Sequence, residues 1–390
     1  MGQQACKNRR DQLALEQSSR NATIQQEALD KNIMEYRYLG NTGIKVSIVS
    51  FGNMVNHYGE NAQENSDQIV AKCLEFGINF FDTAESYGGG KSEELLGQSF
   101  KNLNTNRKDI VVTTKLFFGD GGLGRAVGPN NRGLSRKKVI EGTKASLKRM
   151  QMDYVDIIFA HRYDHQTPLE ETCKAFSWII DHNYALYWGT SEWSADQISE
   201  AIQLCDKLGL HAPVVEQPNY NMLVREKFEK EYGPIFDRFQ YGSTVWSPLA
   251  MGILSGRYNN GIPPEDSRFV TDPTYKDFAL NMFFSPDKKE KSIATLKKLK
   301  VFADSIGYTQ PQLALAWALA NQDVSTLILG FSKLSYVDEN LRAIELYKKW
   351  DREIEGKVEA ILANSPFAGM DYKTFSPLPP RRQVQLKVSK

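Results

Sequence analysis

Hydrophobic and polar positions follow two alternating patterns along this chain. Short runs of β-branched and aromatic residues, typical of buried strands, are separated by segments whose apolar residues recur every three or four positions, as in amphipathic helices. The runs predict strands near residues 46–51, 78–82, 109–116, 154–160, 184–189, 213–217, 242–246 and 325–330. The helical segments include SDQIVAKCLEFG, KSEELLGQSFK, LSRKKVIEGTKASLKRM, PLEETCKAFSWIID, SADQISEAIQLCDKLG and TQPQLALAWALAN.

This alternation predicts βαβ units and a parallel sheet. An open doubly wound sheet and a closed barrel both fit it, but eight repeats over about 300 residues favour an α/β fold of the (β/α)8 TIM barrel type. Capping residues predict where several helices begin and end. Ser66 is a candidate N-cap with Gly77 just beyond the same helix, Pro168 is expected at the first position of another helix, and Gly209 is expected to end a third.

Three regions differ from the repeating pattern. Residues 1–33 are polar and Gln-rich and predict an arm outside the core, whereas the barrel is expected over 34–365. The tail 366–390 is Pro-rich and then basic. The segment 252–285 is too long and too rich in Gly and Pro for a simple connection, and long loops in compact domains are usually functional, so a lid is expected there.

Composition limits the classes of function. Lys and Arg number 48 against 47 Asp and Glu, a net charge of +1, which gives no reason to expect nucleic-acid binding. No apolar run approaches the roughly 20 residues of a membrane span. The start, MGQQACKNRR, has no apolar segment of the kind found in secretion signals, and the four cysteines are widely spaced. A cytoplasmic protein with reduced thiols is the expectation.

Four residues that could act on a carbonyl group follow successive predicted strands. They are Asp82 and Tyr87 in FFDTAESYG, Lys115 in IVVTTKLFF and His161 in YVDIIFAHR. Carbonyl reduction needs a proton donor at oxygen, and a nearby ammonium moves the pKa of a tyrosine down towards neutrality. Lys115 could supply that charge, Asp82 could hold the lysine, and His161 could orient the carbonyl. The alternative is that these are unrelated loop and surface residues.

Two further motifs resemble binding sites but lack the features that such sites need. GDGGLG at 119–124 fits a dinucleotide-binding GxGxxG motif, but Gly128, Pro129 and Gly133 interrupt the helix that should follow, so an enlarged loop at the substrate pocket is expected. His161 and His165 are four residues apart, but they follow a strand and lack a third ligand, so no metal site is predicted. His57, His182 and His211 are expected to be structural or surface residues.

The chain resembles the aldo-keto reductase family from about Tyr36 to about Leu346, through FDTAESYG, TTK, YVDIIFAHR, YWGTSEWS and WSPLAMGILSG. Within that family it is most similar to the voltage-gated potassium channel beta subunits, through MEYRYLGNTGIKVS, FFDTAESYGGGKSEELLG and RGLSRKKVIEGTKASLKRMQMDYVDIIFA. The resemblance implies a catalytic tetrad of Asp82, Tyr87, Lys115 and His161. His161 follows the reductases, because the channel subunits usually have Asn there.

The resemblance also implies NADP(H) as cofactor. The matching positions are Ser191 and Gln217 at the nicotinamide; Trp246, Ser247, Pro248, Leu249, Gly252, Ser255 and Arg257 at the pyrophosphate; Arg268 and Ser332 at the 2′-phosphate; and Glu339 and Asn340 at the adenine. Guanidinium groups suit a phosphate, which favours NADPH over NADH. Glu192 and Tyr336 depart from the channel subunits, which have Arg and Gln there.

Two functions stay open at this stage. One is reduction of a small carbonyl substrate, such as an aromatic or lipid-derived aldehyde, in a pocket lined by Met54, Phe117, Phe118 and Trp246. The other is a partner subunit of a membrane channel or of a large assembly such as the cytoskeleton, with a homotetramer implied by the channel relatives. Gly2 and Cys6 in MGQQACK also resemble an acylation signal that could hold the arm at a membrane; the alternative is an unmodified flexible start.

Overall fold

The computed structural model describes residues 34–55, 59–122, 128–271 and 283–367. The predicted arm (1–33), His57 and nearly all of the predicted tail lie outside these ranges. The boundaries at 33/34 and 365/366 therefore stay predictions.

Eight parallel strands close into a barrel, as the sequence predicts. Around the barrel each strand pairs with the next in chain order, and the last strand pairs with the first. The barrel strands are β3 Val49–Gly52, β4 Phe80–Asp82, β5 Val111–Leu116, β6 Val155–Ala160, β7 Ala185–Ser191, β8 Val215–Gln217, β9 Gly242–Trp246 and β10 Thr326–Leu329. The (β/α)8 prediction is confirmed.

Helices cover the outside of the barrel. Amphipathic helices bury one apolar face, as with Ile69, Val70 and Cys73 in the first helix, whereas the helix Gln310–Ala320 is buried along almost its whole length. The helices are α1 Ala62–Glu75, α2 Lys91–Asn102, α3 Arg136–Met150, α4 Leu169–Asp181, α5 Ala195–Leu208, α6 Gly233–Phe239, α7 Arg268–Thr271, α8 Lys289–Ser305, α9 Gln310–Ala320, α10 Ser335–Leu341, α11 Ala343–Lys348 and α12 Arg352–Leu362. Across the ranges listed above, no helix is both long enough and apolar enough to cross a bilayer.

The first predicted strand, 46–51, is in fact two strands. Residues Lys45–Ser47 form β2, which pairs antiparallel with β1, Tyr36–Tyr38, and the barrel strand β3 starts only at Val49. Leu39 and Val46 of this hairpin belong to one apolar cluster with Phe80 and Val111. Phe80 begins β4 and Val111 begins the neighbouring strand β5, and the two residues are register partners. The hairpin thus closes the N-terminal end of the barrel, and the opposite end carries the chemistry.

Two of the four predicted helix-end residues do not occupy the capping position predicted for them. Helix α1 begins at Ala62 after Asn61, so Ser66 is buried within the helix, where its hydroxyl contacts that of Ser99 at 2.8 Å. Pro168 is the N-cap of α4 and not its first helical residue. The glycine predictions are confirmed: Gly77 follows the end of α1 with φ +76°, and Gly209 caps α5 with φ +64°.

Strand register explains why Asp82, Lys115 and His161 lie close together. Side chains alternate across a strand, so residues two apart share a face. Lys115 pairs with Phe159, whose side chain packs inside the barrel, and His161 lies two residues beyond Phe159. Asp82 follows inward-facing Phe80 by two residues in the same way. Their side chains therefore point to the barrel axis at the C-terminal end, where barrel enzymes carry their active sites.

Candidate active site

A buried ion pair lies at the centre of the site. Lys115 Nζ donates to Asp82 Oδ2 at 2.5 Å and to the Thr83 carbonyl oxygen at 2.7 Å. The lysine side chain is completely buried and that of the aspartate is 3% exposed. Asp82 Oδ1 accepts two further hydrogen bonds, from Thr113 Oγ1 at 2.6 Å and from Gln217 Nε2 at 3.1 Å. The pair is thus well satisfied, which a buried charge requires.

Tyr87 reaches this pair from the loop after β4. Lys115 Nζ donates to its hydroxyl at 3.3 Å and lies 4.9 Å from the centre of its ring. The tyrosine begins a tight turn, Tyr87–Gly90, in which Gly88 and Gly89 take φ of +57° and +64°. Such angles are costly for residues with a Cβ. Gly90 has φ +90° as well, so the three glycines of YGGG suit the backbone of the turn that follows Tyr87.

At Tyr87 burial outweighs the effect of Lys115 on the pKa. Burial raises the pKa of the phenol above its ordinary value, and the charge of Lys115 only partly opposes this. Burial alone would lower the pKa of Lys115, but Asp82 and Tyr87 outweigh it and the pKa is raised. Both groups therefore hold their protons at neutral pH.

His161 completes the group of four. It is 6% exposed, its ring packs edge-on against those of Tyr87 at 5.9 Å and Phe118 at 5.0 Å, and its Nδ1 atom has no hydrogen-bond partner within the described residues. Burial, and then the positive charges of Lys115 and Arg162, lower its pKa well below the usual range. The imidazole is consequently neutral at physiological pH.

The residues predicted at the nicotinamide lie beside this group. Ser191 Oγ donates to the Gln217 carbonyl oxygen at 3.0 Å, and the Gln217 amide reaches Asp82. Trp246 donates from Nε1 to Glu192 at 2.9 Å, and Glu192 also accepts from the Asn219 amide at 2.6 Å. Glu192, a departure from the channel subunits, therefore joins the ends of β7, β8 and β9.

The loop after β9 has an unusual backbone. Ser247, Ala250 and Met251 have φ between +49° and +56°, and Gly252 has φ +101°. Left-handed conformations of non-glycine residues are costly and are often found at functional sites. Ser247 Oγ accepts from the Met251 amide at 2.7 Å and so stabilises the turn, which also contains Pro248 and Leu249.

The remaining predicted cofactor residues are placed less completely. Ser255 accepts from the Arg257 amide at 3.4 Å, and the Arg257 side chain forms an ion pair with Asp266. Arg268 begins α7, but its side chain lies outside the described part of the structure. The other three follow β10: Ser332 is exposed, Glu339 accepts from Gln312 through its carbonyl oxygen at 2.8 Å, and Asn340 is buried.

Aromatic rings extend from the ion pair towards solvent. Phe118 packs on His161, and Phe117 packs on Phe118 with ring centroids 5.1 Å apart. Both phenylalanines are half-buried, as are Met54 after β3 and Trp246. Phe117 and Phe118 thus form an apolar wall that begins at His161.

Sequence reasoning missed Glu85, which holds this wall in place. The Glu85 side chain is 1% exposed; its Oε1 accepts from the amides of Phe117 and Gly119, each at 2.9 Å, and its Oε2 accepts from Lys138 Nζ at 2.6 Å. The residue lies within the AESYG motif, and the available signal was a charge placed next to a buried strand end.

The GDGGLG motif and the His161–His165 pair both follow strand ends. Gly119–Gly122 lie in a loop, the next described helix is α3 at Arg136, and residues 123–127 are outside the described ranges. His165 is exposed, and its ring packs on Tyr163 at 4.9 Å. Where side chains are described, no group of three or more His, Cys, Asp or Glu is arranged to hold a metal ion.

Comparison with known proteins agrees with this geometry. The sequence profile of the Aldo/keto reductase family matches residues 49–361. A probable voltage-gated potassium channel subunit beta from Arabidopsis thaliana is 43% identical over 340 residues, which is 87% of this chain and 100% of the relative. The rice protein of the same name is 42% identical with the same coverage. A putative subunit of this type from Schizosaccharomyces pombe is 44% identical over 337 residues, which is 86% of this chain and 95% of the relative. The chain belongs to the aldo/keto reductase family of oxidoreductases.

Proposed function

We propose that this protein reduces aldehydes or ketones with NADPH as the hydride source. The observation that carries the proposal is the contact between Lys115 Nζ and the Tyr87 hydroxyl at 3.3 Å, beside a buried carboxylate. A phenol next to a fixed ammonium can give up its proton to a developing alkoxide, because the cation stabilises the phenolate that remains.

The residues at the barrel end fit a nicotinamide cofactor. His161 has a buried Nδ1 that no described residue hydrogen-bonds, and Ser191 and Gln217 are register partners at the ends of the next two strands. The strained loop after β9 adds backbone amides at the same end of the barrel. NADPH, when bound, supplies the hydride. Ser191 and Gln217 would hold its carboxamide, and the loop would cover its pyrophosphate.

Each of the four residues then has one task. Tyr87 donates its hydroxyl proton to the carbonyl oxygen while hydride arrives at carbon, so the product is an alcohol. Lys115 stabilises the resulting phenolate, and Asp82 keeps Lys115 charged and in place. Neutral His161 orients the carbonyl oxygen by a hydrogen bond. Tyr87 regains its proton from solvent before the next turnover.

Preference for NADPH over NADH is part of the proposal. Arg257, Arg268 and Ser332 are the residues proposed to face the cofactor phosphates, because guanidinium groups bind phosphate oxygens in pairs. Titrating intrinsic tryptophan fluorescence with each cofactor tests this point. NADPH should bind at least tenfold more tightly than NADH, and Arg268→Met should remove most of the difference. Equal affinities would contradict the preference.

The reaction is tested by product analysis. The purified protein with NADPH and 4-nitrobenzaldehyde should form 4-nitrobenzyl alcohol and NADP+ in a 1:1 ratio. Tyr87→Phe should reduce the rate by about a hundredfold or more, as for loss of a general acid. Tyr38→Phe is the matched control, since Tyr38 is 58% exposed on the hairpin at the other end of the barrel. No alcohol from the wild type would contradict the proposal.

A second function is favoured by the names of the relatives, which are probable or putative subunits of voltage-gated potassium channels. On this proposal the protein is a cytoplasmic partner of a channel or a large assembly, is itself a homotetramer, and uses the nucleotide site as a sensor. The arm 1–33, acylated at Gly2 or Cys6, would hold it at a membrane. Affinity capture with the full chain and with residues 34–390, together with the mass of the free protein in solution, tests this; a monomer that captures no partner would contradict it.

A further inference from the structure

One cation at the site is not used by the proposed reaction. Arg162 directly follows His161 at the end of β6 and is half-buried. Its Nη1 donates to the His161 carbonyl oxygen at 2.5 Å and to Ser191 Oγ at 3.3 Å. Its guanidinium carbon lies 5.7 Å from the centre of the Phe118 ring. Arg162 is thus fixed between the predicted nicotinamide contact and the aromatic wall.

The other edge of this guanidinium makes no hydrogen bond to a described residue. Both observed hydrogen bonds use Nη1, so Nε and Nη2 keep donors without a partner in the described ranges. No described Asp or Glu forms an ion pair with Arg162. The Nε–Nη2 edge presents two parallel N–H groups, which is the geometry that a carboxylate accepts in a bidentate pair.

The carboxylates of the neighbouring strand ends and loops form their observed contacts with groups other than Arg162. Asp82 is held by Lys115, and Glu192 by Lys227 Nζ at 3.1 Å in addition to Trp246. Asp164, two residues after Arg162, accepts from the Leu134 amide at 2.7 Å and from the Thr167 hydroxyl at 2.6 Å.

A second arginine lies at the outer end of the aromatic wall. The Arg132 guanidinium carbon is 5.7 Å from the centre of the Phe117 ring, and Arg132 is exposed without an ion pair to any described carboxylate. The hydrogen bond from Leu134 to Asp164 ties the Arg132 loop to the Arg162 loop. Two apolar rings in contact are therefore flanked by two arginines.

We propose that the site selects carbonyl substrates that also carry a carboxylate, with Arg162 as the main anchor and Arg132 as an outer contact. The apolar body of the substrate would pack on Phe117 and Phe118 while its carboxylate pairs with the free edge of Arg162. A hydrophobic wall alone would favour neutral aldehydes, but an open guanidinium at its inner end favours the anion. This inference rests on the proposed reduction and names its substrate class.

The test compares matched substrates. The value of kcat/KM is measured for 4-formylbenzoate and 3-formylbenzoate and for the corresponding neutral formylbenzamides, in buffer free of phosphate. The wild type should prefer the acids by on the order of tenfold to hundredfold, the range expected for a charge-assisted hydrogen-bonded pair. Arg162→Gln should bring the acid-to-amide ratio close to one, Arg162→Lys should retain part of it, and Arg132→Gln should lower it by a smaller factor.

The control is Arg238→Gln, because the Arg238 guanidinium lies over Phe239 at 5.0 Å in the same kind of contact but on α6. This variant should keep the wild-type ratio. If the wild type reduces the amides as well as the acids, or Arg162→Gln leaves the ratio unchanged, the inference is wrong while the proposed function stands. A ratio that falls when sodium acetate replaces sodium chloride at equal ionic strength supports a carboxylate-binding edge.

Failure of the proposed function has a different signature. If the wild type reduces none of the four aldehydes, the subsite is tested by calorimetric binding of 4-formylbenzoate and 4-formylbenzamide. Tighter binding of the acid that is lost in Arg162→Gln would support the carboxylate subsite even without turnover. Equal binding of acid and amide would overturn it.

Discussion

Lys115 and Asp82 form a buried ion pair, and replacing either residue alone should lower the free energy of unfolding substantially. Both side chains are almost completely removed from water. Removing one partner of such a pair leaves a buried charge and costs about 3–5 kcal/mol. Lys115→Met should therefore destabilise the fold by that amount, and Lys115→Met combined with Asp82→Asn should recover a large part of it. Urea unfolding followed by fluorescence measures the difference; a double variant no more stable than the single one would contradict the account.

His161 gives a prediction about pH. Its folded pKa lies well below the ordinary value of 6.5 because of burial and nearby positive charge, so the imidazole stays neutral at neutral pH. In the reduction direction, kcat/KM should show no inflection near pH 6.5. An inflection there that disappears in His161→Asn would contradict this assignment.

The same shift makes stability depend on pH. Below about pH 6.5 the unfolded chain binds a proton at this histidine and the folded chain does not, so folding becomes less favourable as pH falls. Above that pH the effect is absent. The thermal midpoint of the wild type should therefore fall more steeply from pH 7 to pH 5 than that of His161→Asn. Parallel curves for the two proteins would exclude a depressed histidine pKa.

At the scale of elements, the loop after β5 depends on Glu85. This carboxylate caps the Phe117 and Gly119 amides and neutralises buried Lys138. Glu85→Gln should loosen the aromatic wall and raise KM for aromatic aldehydes severalfold, with a smaller change in kcat. Glu94→Gln on α2 is the control, because Glu94 is exposed and forms a surface ion pair with Lys91 at 3.1 Å. An unchanged KM in Glu85→Gln would show that the wall is held by other contacts.

Local patterns predicted the barrel strands because each is a short run of apolar, β-branched or aromatic residues. They joined β2 to β3 because Lys45–Gly52 reads as one continuous strand, whereas the break at Ile48 arises from pairing with distant β1. Ser66 was misjudged for a related reason. Its hydroxyl pairs with Ser99 on α2, a contact between residues far apart in the chain.

The site shows the same difference between what local sequence patterns predict and what depends on contacts between distant residues. The four chemical residues could be found because parallel strands bring their carboxyl ends together. The roles of Glu85 and Arg162 depend on loops that meet only in the fold, so the sequence indicated the residues but not their contacts. The lowering effect of Lys115 on the Tyr87 pKa could be predicted, but the larger opposing effect of burial could not, because a charge is visible in sequence and the extent of burial is not.

At the scale of the whole molecule, α12 is fixed to the barrel through Arg225. The Arg225 guanidinium forms ion pairs with Glu229 at 2.8 Å and with Glu359 of α12 at 2.6 Å. The Trp317 indole also donates to Glu359, at 3.0 Å. Glu359→Gln should cost about 1.5–3 kcal/mol, the range for hydrogen bonds to charged groups. Glu355→Gln, exposed one turn earlier on α12, should cost almost nothing. Thermal unfolding of the two variants compares them, and equal losses would argue against this anchor.

The central claim is that Tyr87, with Lys115 beside it, delivers a proton during hydride transfer. Rapid mixing of the NADPH-loaded protein with excess aldehyde tests it most directly, with cofactor absorbance followed through one turnover. The wild type should oxidise its bound NADPH in a single fast phase. Tyr87→Phe and Lys115→Met should bind NADPH but oxidise it at least a hundredfold more slowly, a loss typical of general acid catalysis. Oxidation of bound NADPH by Tyr87→Phe at the wild-type rate would contradict the account.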